Sequence, residues 1–139
     1  MELNYTLIIV ATIAQFILGA LWYSPLMFGK WWMEIMEVSH MSKDEIAKMQ
    51  KTMVPFYALQ FVLTLITTWV LANNIVYAGA LGSAAYYYAL FMWIGYIAPV
   101  QISTVIWGNT KKKFWPKQVF VMLSMQFVGI MLAAFILSM

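Results

Sequence analysis

The chain has 139 residues, 64% of them hydrophobic and 9% charged, with a mean hydropathy of +0.80 and a net charge of +3. A soluble domain carries about 25% charged residues, so this composition, with four apolar runs of roughly 20 residues, excludes a soluble globular domain and leaves no segment for a second one. The absence of cysteine excludes disulfides, thiolate metal sites and thiol chemistry, and all eight basic residues are lysines confined to two loops, a pattern of membrane topology rather than nucleic-acid binding.

The first run spans Leu3 to Tyr23. It has no basic n-region and outlasts a signal h-region of roughly 7–15 residues, so it is expected to stay as a helix. Trp22-Tyr23 closes it at the interface, and Ser24-Pro25 stops the helix. From Leu26 to Val38, Phe28, Trp31, Trp32, Ile35 and Met36 recur against Lys30, Glu34 and Glu37, which predicts a short amphipathic helix lying in the membrane surface. Ser42-Lys43-Asp44-Glu45 reads as a capping box. It predicts a stem that leads into the second run near Met53, with Pro55 kinking the entry.

The second run covers residues 53–73, and Asn73-Asn74 with Gly79 and Gly82 mark a short connection. The third covers 84–107. It opens with the aromatic belt Tyr86-Tyr87-Tyr88, and Pro99 is expected to bend it and leave the Gly95 carbonyl without its usual partner. Lys111-Lys112-Lys113 and Trp115-Pro116 form a turn before the fourth run, 118–137. The expected fold is all-α: a single membrane domain over residues 1–139, a polytopic four-helix bundle with an amphipathic interfacial helix after the first transmembrane helix.

Lys30, Lys43, Lys48 and Lys51 lie in the 26–52 loop, and Lys111, Lys112, Lys113 and Lys117 follow the third run, while the ends and the 73–83 connection carry none. The positive-inside rule then predicts a plasma (bacterial inner) membrane protein with both lysine loops cytoplasmic and both termini outside. The lysines are also expected to meet anionic lipid headgroups.

Inside the runs there is no charged residue, but each carries one deep amide: Gln15, Gln60, Gln101 and Gln126. At 1.5 Å per residue they lie roughly 9–14 Å from the lysine-side boundary. Each shares a stripe with small or polar residues: Ala11, Gln15 and Gly19; Gln60, Thr64 and Thr67; Ala98, Gln101 and Thr104; Gln126, Gly129 and Ala133. An unpaired amide in hydrocarbon is costly, so these stripes are expected to face protein or water. Two readings follow, interhelical packing or a layer lining a site or path for water or a neutral small molecule.

His40 stands alone, so neither a metal site nor a haem is expected, and no cofactor. Glu34, Glu37, Asp44 and Glu45 read as solvated helix-surface or capping groups rather than an acid/base pair. Twelve dispersed methionines read as adaptable packing. The lack of an intramembrane carboxylate argues against proton-coupled transport, and no nucleophile–base pair or catalytic residue is visible. The expected function is therefore a non-catalytic membrane module. The alternatives are a membrane-embedded enzyme acting on a lipophilic substrate at the cytoplasmic interface, and a scaffold or partner-binding subunit. Four helices enclose little interior, so a homo-oligomer is expected.

The order Gly19, Trp22, Tyr23, Ser24, Pro25, Phe28, Gly29, Lys30, Trp32 resembles the opening motif of the DUF1761 family of small integral membrane proteins. Weaker likeness continues through Ser42-Lys43-Asp44-Glu45, Gly82, Trp93, Gly95-Tyr96 and Trp115. The resemblance implies a four-helix membrane protein and brings no catalytic residues with it, because that family has no assigned function.

Overall fold

The computed structural model describes residues 2–139, all-helical with no strand among them. Four helical stretches are long and apolar enough to cross a membrane: Tyr5–Trp22, Val54–Tyr77, Ala84–Ile106 and Lys112–Leu137. The first is α1, Tyr5–Trp22, capped by Asn4, whose side chain accepts the Leu7 N–H at 3.1 Å. Two short helices follow, α2 (Gly29–Ile35) and α3 (Lys43–Thr52).

The capping box forms as expected: Ser42 Oγ accepts from the Glu45 N–H at 3.2 Å, and Glu45 Oε2 accepts from the Ser42 N–H at 3.0 Å. The stem and the second span are separate helices. α3 ends at Thr52, and α4 (Val54–Tyr77) starts after Met53 with Pro55 in its first turn, where its missing N–H costs nothing.

α4 continues four residues past Asn73. The amides of Asn73 and Asn74 donate back to the Trp69 and Val70 carbonyls at 2.7 and 2.8 Å, so each side chain has one N–H bonded within the helix. Gly79 and Gly82, at φ 61° and 57°, make the turn that follows; both lie in the left-handed region where a side chain is strained.

The third span is not a continuous α-helix. α5 (Ala84–Met92) passes through a π-turn at Trp93–Ile97 into α6 (Ala98–Ile106). Pro99 in the first turn of α6 cannot bond to the Gly95 carbonyl, and the Ala98 N–H reaches back five residues to Trp93. The bend expected from Pro99 is thus taken up as one wide turn. A 3-10 turn at Lys112–Phe114 leads into α7, Trp115–Leu137.

α7 touches each of the other three spans. Its longest contact is with α1, and α5 and α6 lie along it on another side. α4 packs mainly on α1 and touches α5 and α7 less. Ala11, Leu71, Ile75, Ala85, Ala89, Ile130, Ala133 and Ala134 form the main buried cluster. A smaller cluster of Trp22, Val121 and Met125 lies toward the lysines. The two lysine loops occupy one end of the molecule: Glu34 of α2 meets Lys117 at 3.2 Å, and Glu37 meets Lys111 at 2.6 Å. At the other end Leu3, Asn4, Ala80, Leu81, Leu137 and Ser138 border a cavity of about 220 Å³.

Candidate functional site

The motif from Gly19 to Trp32 folds into an aromatic knot, and the short helix expected over Leu26 to Val38 is α2, Gly29–Ile35. α1 stops because Ser24 Oγ donates to the Leu21 carbonyl at 2.6 Å and Pro25 follows. The chain then reverses: the N–H groups of Met27 and Gly29 both donate to the Ser24 carbonyl, and that of Phe28 donates to Trp22. Phe28 is thereby aimed inward, its ring 5.1 Å from Trp22, 5.7 Å from Trp31 and 5.8 Å from Phe120 of α7. Tyr23 and Trp32 pair beside it at 4.8 Å. Trp22 is buried, and its Nε1–H donates to the Val121 carbonyl at 3.2 Å. Pro25, Lys30 and Trp31 are exposed, with Leu26, Met27 and Met36.

Glu37 ends α2 at φ 58°, a left-handed conformation unusual for a side-chain-bearing residue. The Lys111 ammonium, hydrogen-bonded to it, holds its carboxyl below the usual carboxylate range, with Lys113 adding a smaller attraction. A depressed folded-state pKa means the pair contributes above the ordinary carboxylate pKa and is lost as pH falls through the lowered value. A distance measured by spin labels on α2 and the 3-10 turn should stay constant until acidification passes that range, then lengthen. In Glu37→Gln it should be long at every pH. A parental distance in Glu37→Gln would show that the pair does not hold the loops.

The four glutamines have different surroundings. Gln15 is half-buried, and its Nε2 donates to Thr68 Oγ1 of α4 at 2.7 Å and to the Ala11 carbonyl at 3.2 Å. The Thr68 hydroxyl in turn donates a hydrogen bond to the Thr64 carbonyl at 2.8 Å. On the other side Gln15 lies against Gly129, where an added methyl would meet Gln15 Oε1 at 3.7 Å. One amide thus joins α1, α4 and α7 at a seam of Ala11, Gly19 and Gly129.

Gln60 is exposed and donates only within its helix, to Thr64 Oγ1 at 3.3 Å. Gln126 is half-buried. Gln101 is half-buried, but its Oε1 is fully covered and has no hydrogen-bond partner among the described residues. No hydrogen bond joins any two of the four among the described residues, and neither the 220 Å³ cavity nor an apolar groove of about 380 Å³ between α1 and α4 is lined by them.

Two residues at these contacts have an interhelix role that the sequence did not signal. Gln118, beside the lysine turn, is buried, and its Oε1 is a second unpartnered acceptor on the helix that packs against α6. Trp93 donates its indole N–H to the Leu123 carbonyl at 3.1 Å and stacks edge-on against Phe127 at 5.2 Å. Interfacial tryptophans and interhelix tryptophans look alike in a sequence; only the depth of Trp93, nine residues into its span, set it apart. His40 is exposed, Glu34 and Glu37 are engaged by lysines, and no group of three acidic or histidine side chains that could hold a metal occurs among the described residues.

Comparison with curated proteins and with solved structures finds no match in either set. A family model does match, over residues 6–138, under the description "Protein of unknown function (DUF1761)". That match takes in the aromatic knot, the Gln15 seam, the π-turn and α7, and the chain belongs to the DUF1761 family.

Proposed function

We propose that this protein is a non-catalytic membrane module, a single domain whose four spans form a bundle around α7. Its lysine loops face the cytoplasm across the plasma (bacterial inner) membrane, and both termini lie outside. The observation that carries the reading is the Gln15 amide, closed onto Thr68 between α1 and α4 with Gly129 behind it. A polar group placed that way is spent on holding helices together. The carboxylates nearest the aromatic knot, Glu34 and Glu37, are neutralised by lysines and border neither cavity. Lys30, Lys112 and Lys113, which form no ion pair among the described residues, supply the attraction for anionic headgroups.

A double-mutant cycle on Gln15→Leu and Thr68→Val, read as unfolding free energy in mixed micelles, tests the packing role. A coupling of about 0.6–1.7 kcal/mol is expected, the range of interhelical hydrogen bonds in membrane proteins. Additive single effects would remove the basis of the proposal.

A second reading has one observation behind it. The covered Oε1 atoms of Gln101 and Gln118, on the mutually packed α6 and α7, lack donors. Buried acceptors of this kind hold ordered water, which would begin a path for water or a neutral solute. Light-scattering shrinkage of loaded vesicles distinguishes the readings: a rate above empty vesicles that falls in Gln101→Leu supports passage, and a rate equal to empty vesicles excludes it.

A further inference from the structure

Between Val54 and Gln60 every residue of α4 is exposed. The stripe that α4 turns inward farther along is closed at Thr68 and Leu71, each 1% exposed, but stands open at Tyr57, 44% exposed. Tyr57 and Thr68 are eleven residues apart, three helical turns on one face. The helix therefore leaves its neighbours toward the lysine end, inside the segment long enough to span the membrane.

Gln60 sits in this open half, about 9 Å along the axis from Val54 at 1.5 Å per residue. One of its two amide N–H groups makes the long 3.3 Å bond to Thr64 Oγ1, and its Oε1 accepts nothing among the described residues. Thr64 and Thr67 have already donated their hydroxyl protons to the Gln60 and Leu63 carbonyls of their own helix. Spacings of four and seven put Gln60, Thr64 and Thr67 on one stripe, while Val62 and Ile66 lie on another.

An amide facing hydrocarbon with a free donor and a free acceptor is costly, and lipid tails offer neither complement. Within the chain, Gln15, the one deep amide that reaches α4, is committed to Thr68. A primary amide is self-complementary, so the group that satisfies both halves of Gln60 at the same depth is the same amide on a second copy.

We propose that α4 docks against α4 of a second copy of this chain along Gln60, Thr64 and Thr67, with the two Gln60 amides paired across a twofold axis. The hydroxyl oxygens of Thr64 and Thr67 keep lone pairs for the partner helix. The contact requires α4 to span the membrane. It is independent of which side the lysines face and of the role of Gln15.

The chain has no cysteine, so single cysteines can be introduced without prior engineering at positions 60, 64 and 67, and at 62 and 66 as the opposite stripe. Oxidative cross-linking in native membranes should give a species of twice the 16.0 kDa chain mass at the first three positions and not at the other two. Monomer at all five, equal yields at all five, a maximum at 62 or 66, or an adduct of another mass would overturn the proposal. In bilayers, Gln60→Leu should weaken self-association by about 3- to 18-fold, while Gln60→Asn retains most of it. Gln60 is exposed, so folding is not at stake, and unchanged association in Gln60→Leu would also overturn the paired amides. The Gln15–Thr68 cycle is read eight residues farther along α4 than Gln60 and in a monomer, so either result can fail without the other.

Discussion

Gly29→Ala is expected to destabilise the protein by about 3 kcal/mol or more, toward the upper end of single-residue effects. The methyl group would sit 2.5 Å from the Ser24 carbonyl carbon, 2.6 Å from its oxygen and 2.8 Å from the Tyr23 oxygen. All three are backbone atoms, so no rotamer change can make room. The turn must open, and opening it breaks the 2.9 Å bond from the Gly29 N–H to Ser24 and withdraws Phe28 from Trp22 and Phe120. Thermal unfolding in micelles, followed by tryptophan fluorescence, measures the effect. Gly129→Ala is the control, because its methyl would meet side-chain atoms at 3.7 Å, an ordinary contact; less than about 1 kcal/mol is expected there. A Gly29→Ala protein as stable as the parent would show that the reversal at Ser24 is not required.

Trp22→Ala is expected to cost about 3–5 kcal/mol, the range for removing a large buried aromatic side chain. The ring is 8% exposed, packs with Val121 and Met125, and lies over Phe28. Trp22→Phe keeps most of the ring and loses only the N–H bond to Val121, so about 1 kcal/mol is expected for it. In that ordering the packing of the ring contributes more than the indole hydrogen bond. Equal losses in the two variants would reverse that assignment. The same micelle unfolding assay reads both.

What was legible in the sequence was what depends on neighbours within a few turns. The four spans announce themselves through length and hydropathy, and the Ser42–Glu45 capping box is complete within four residues. Trp22 and Gly29 could be recognised as a motif, but their partners could not. Trp22 bonds to a carbonyl 99 positions away, and Phe28 finds Phe120 in α7.

The glutamines show the same division. Their depths follow from counting residues, since each residue adds a fixed rise. Their directions depend on how the helices are rotated and splayed. Gln15 reaches Thr68 while Gln60 does not reach another helix of its own chain, because α4 parts from its neighbours between Thr68 and Tyr57. The π-turn is intermediate. Pro99 signals a disturbance locally, but its form as one wide turn at Trp93 accompanies the anchoring of that tryptophan on Leu123. Asn73 and Asn74 misdirect a local reading for a simple reason: asparagine marks turns, yet here both amides find acceptors four residues back.

The two indole anchors carry a consequence for biosynthesis. Trp22 and Trp93 donate to α7 carbonyls only two residues apart, Val121 and Leu123, from opposite flanking spans. The spans that bear them share at most marginal contact with each other. During synthesis, α1 and the third span are therefore inserted before the surface that joins them exists. Until α7 is made, both indole N–H groups lack their acceptors and α1 has only α4 to pack on. A chain cut before Val121 would keep its earlier spans but lack both carbonyls that receive the indoles, so the truncation is expected to leave the first and third spans unjoined.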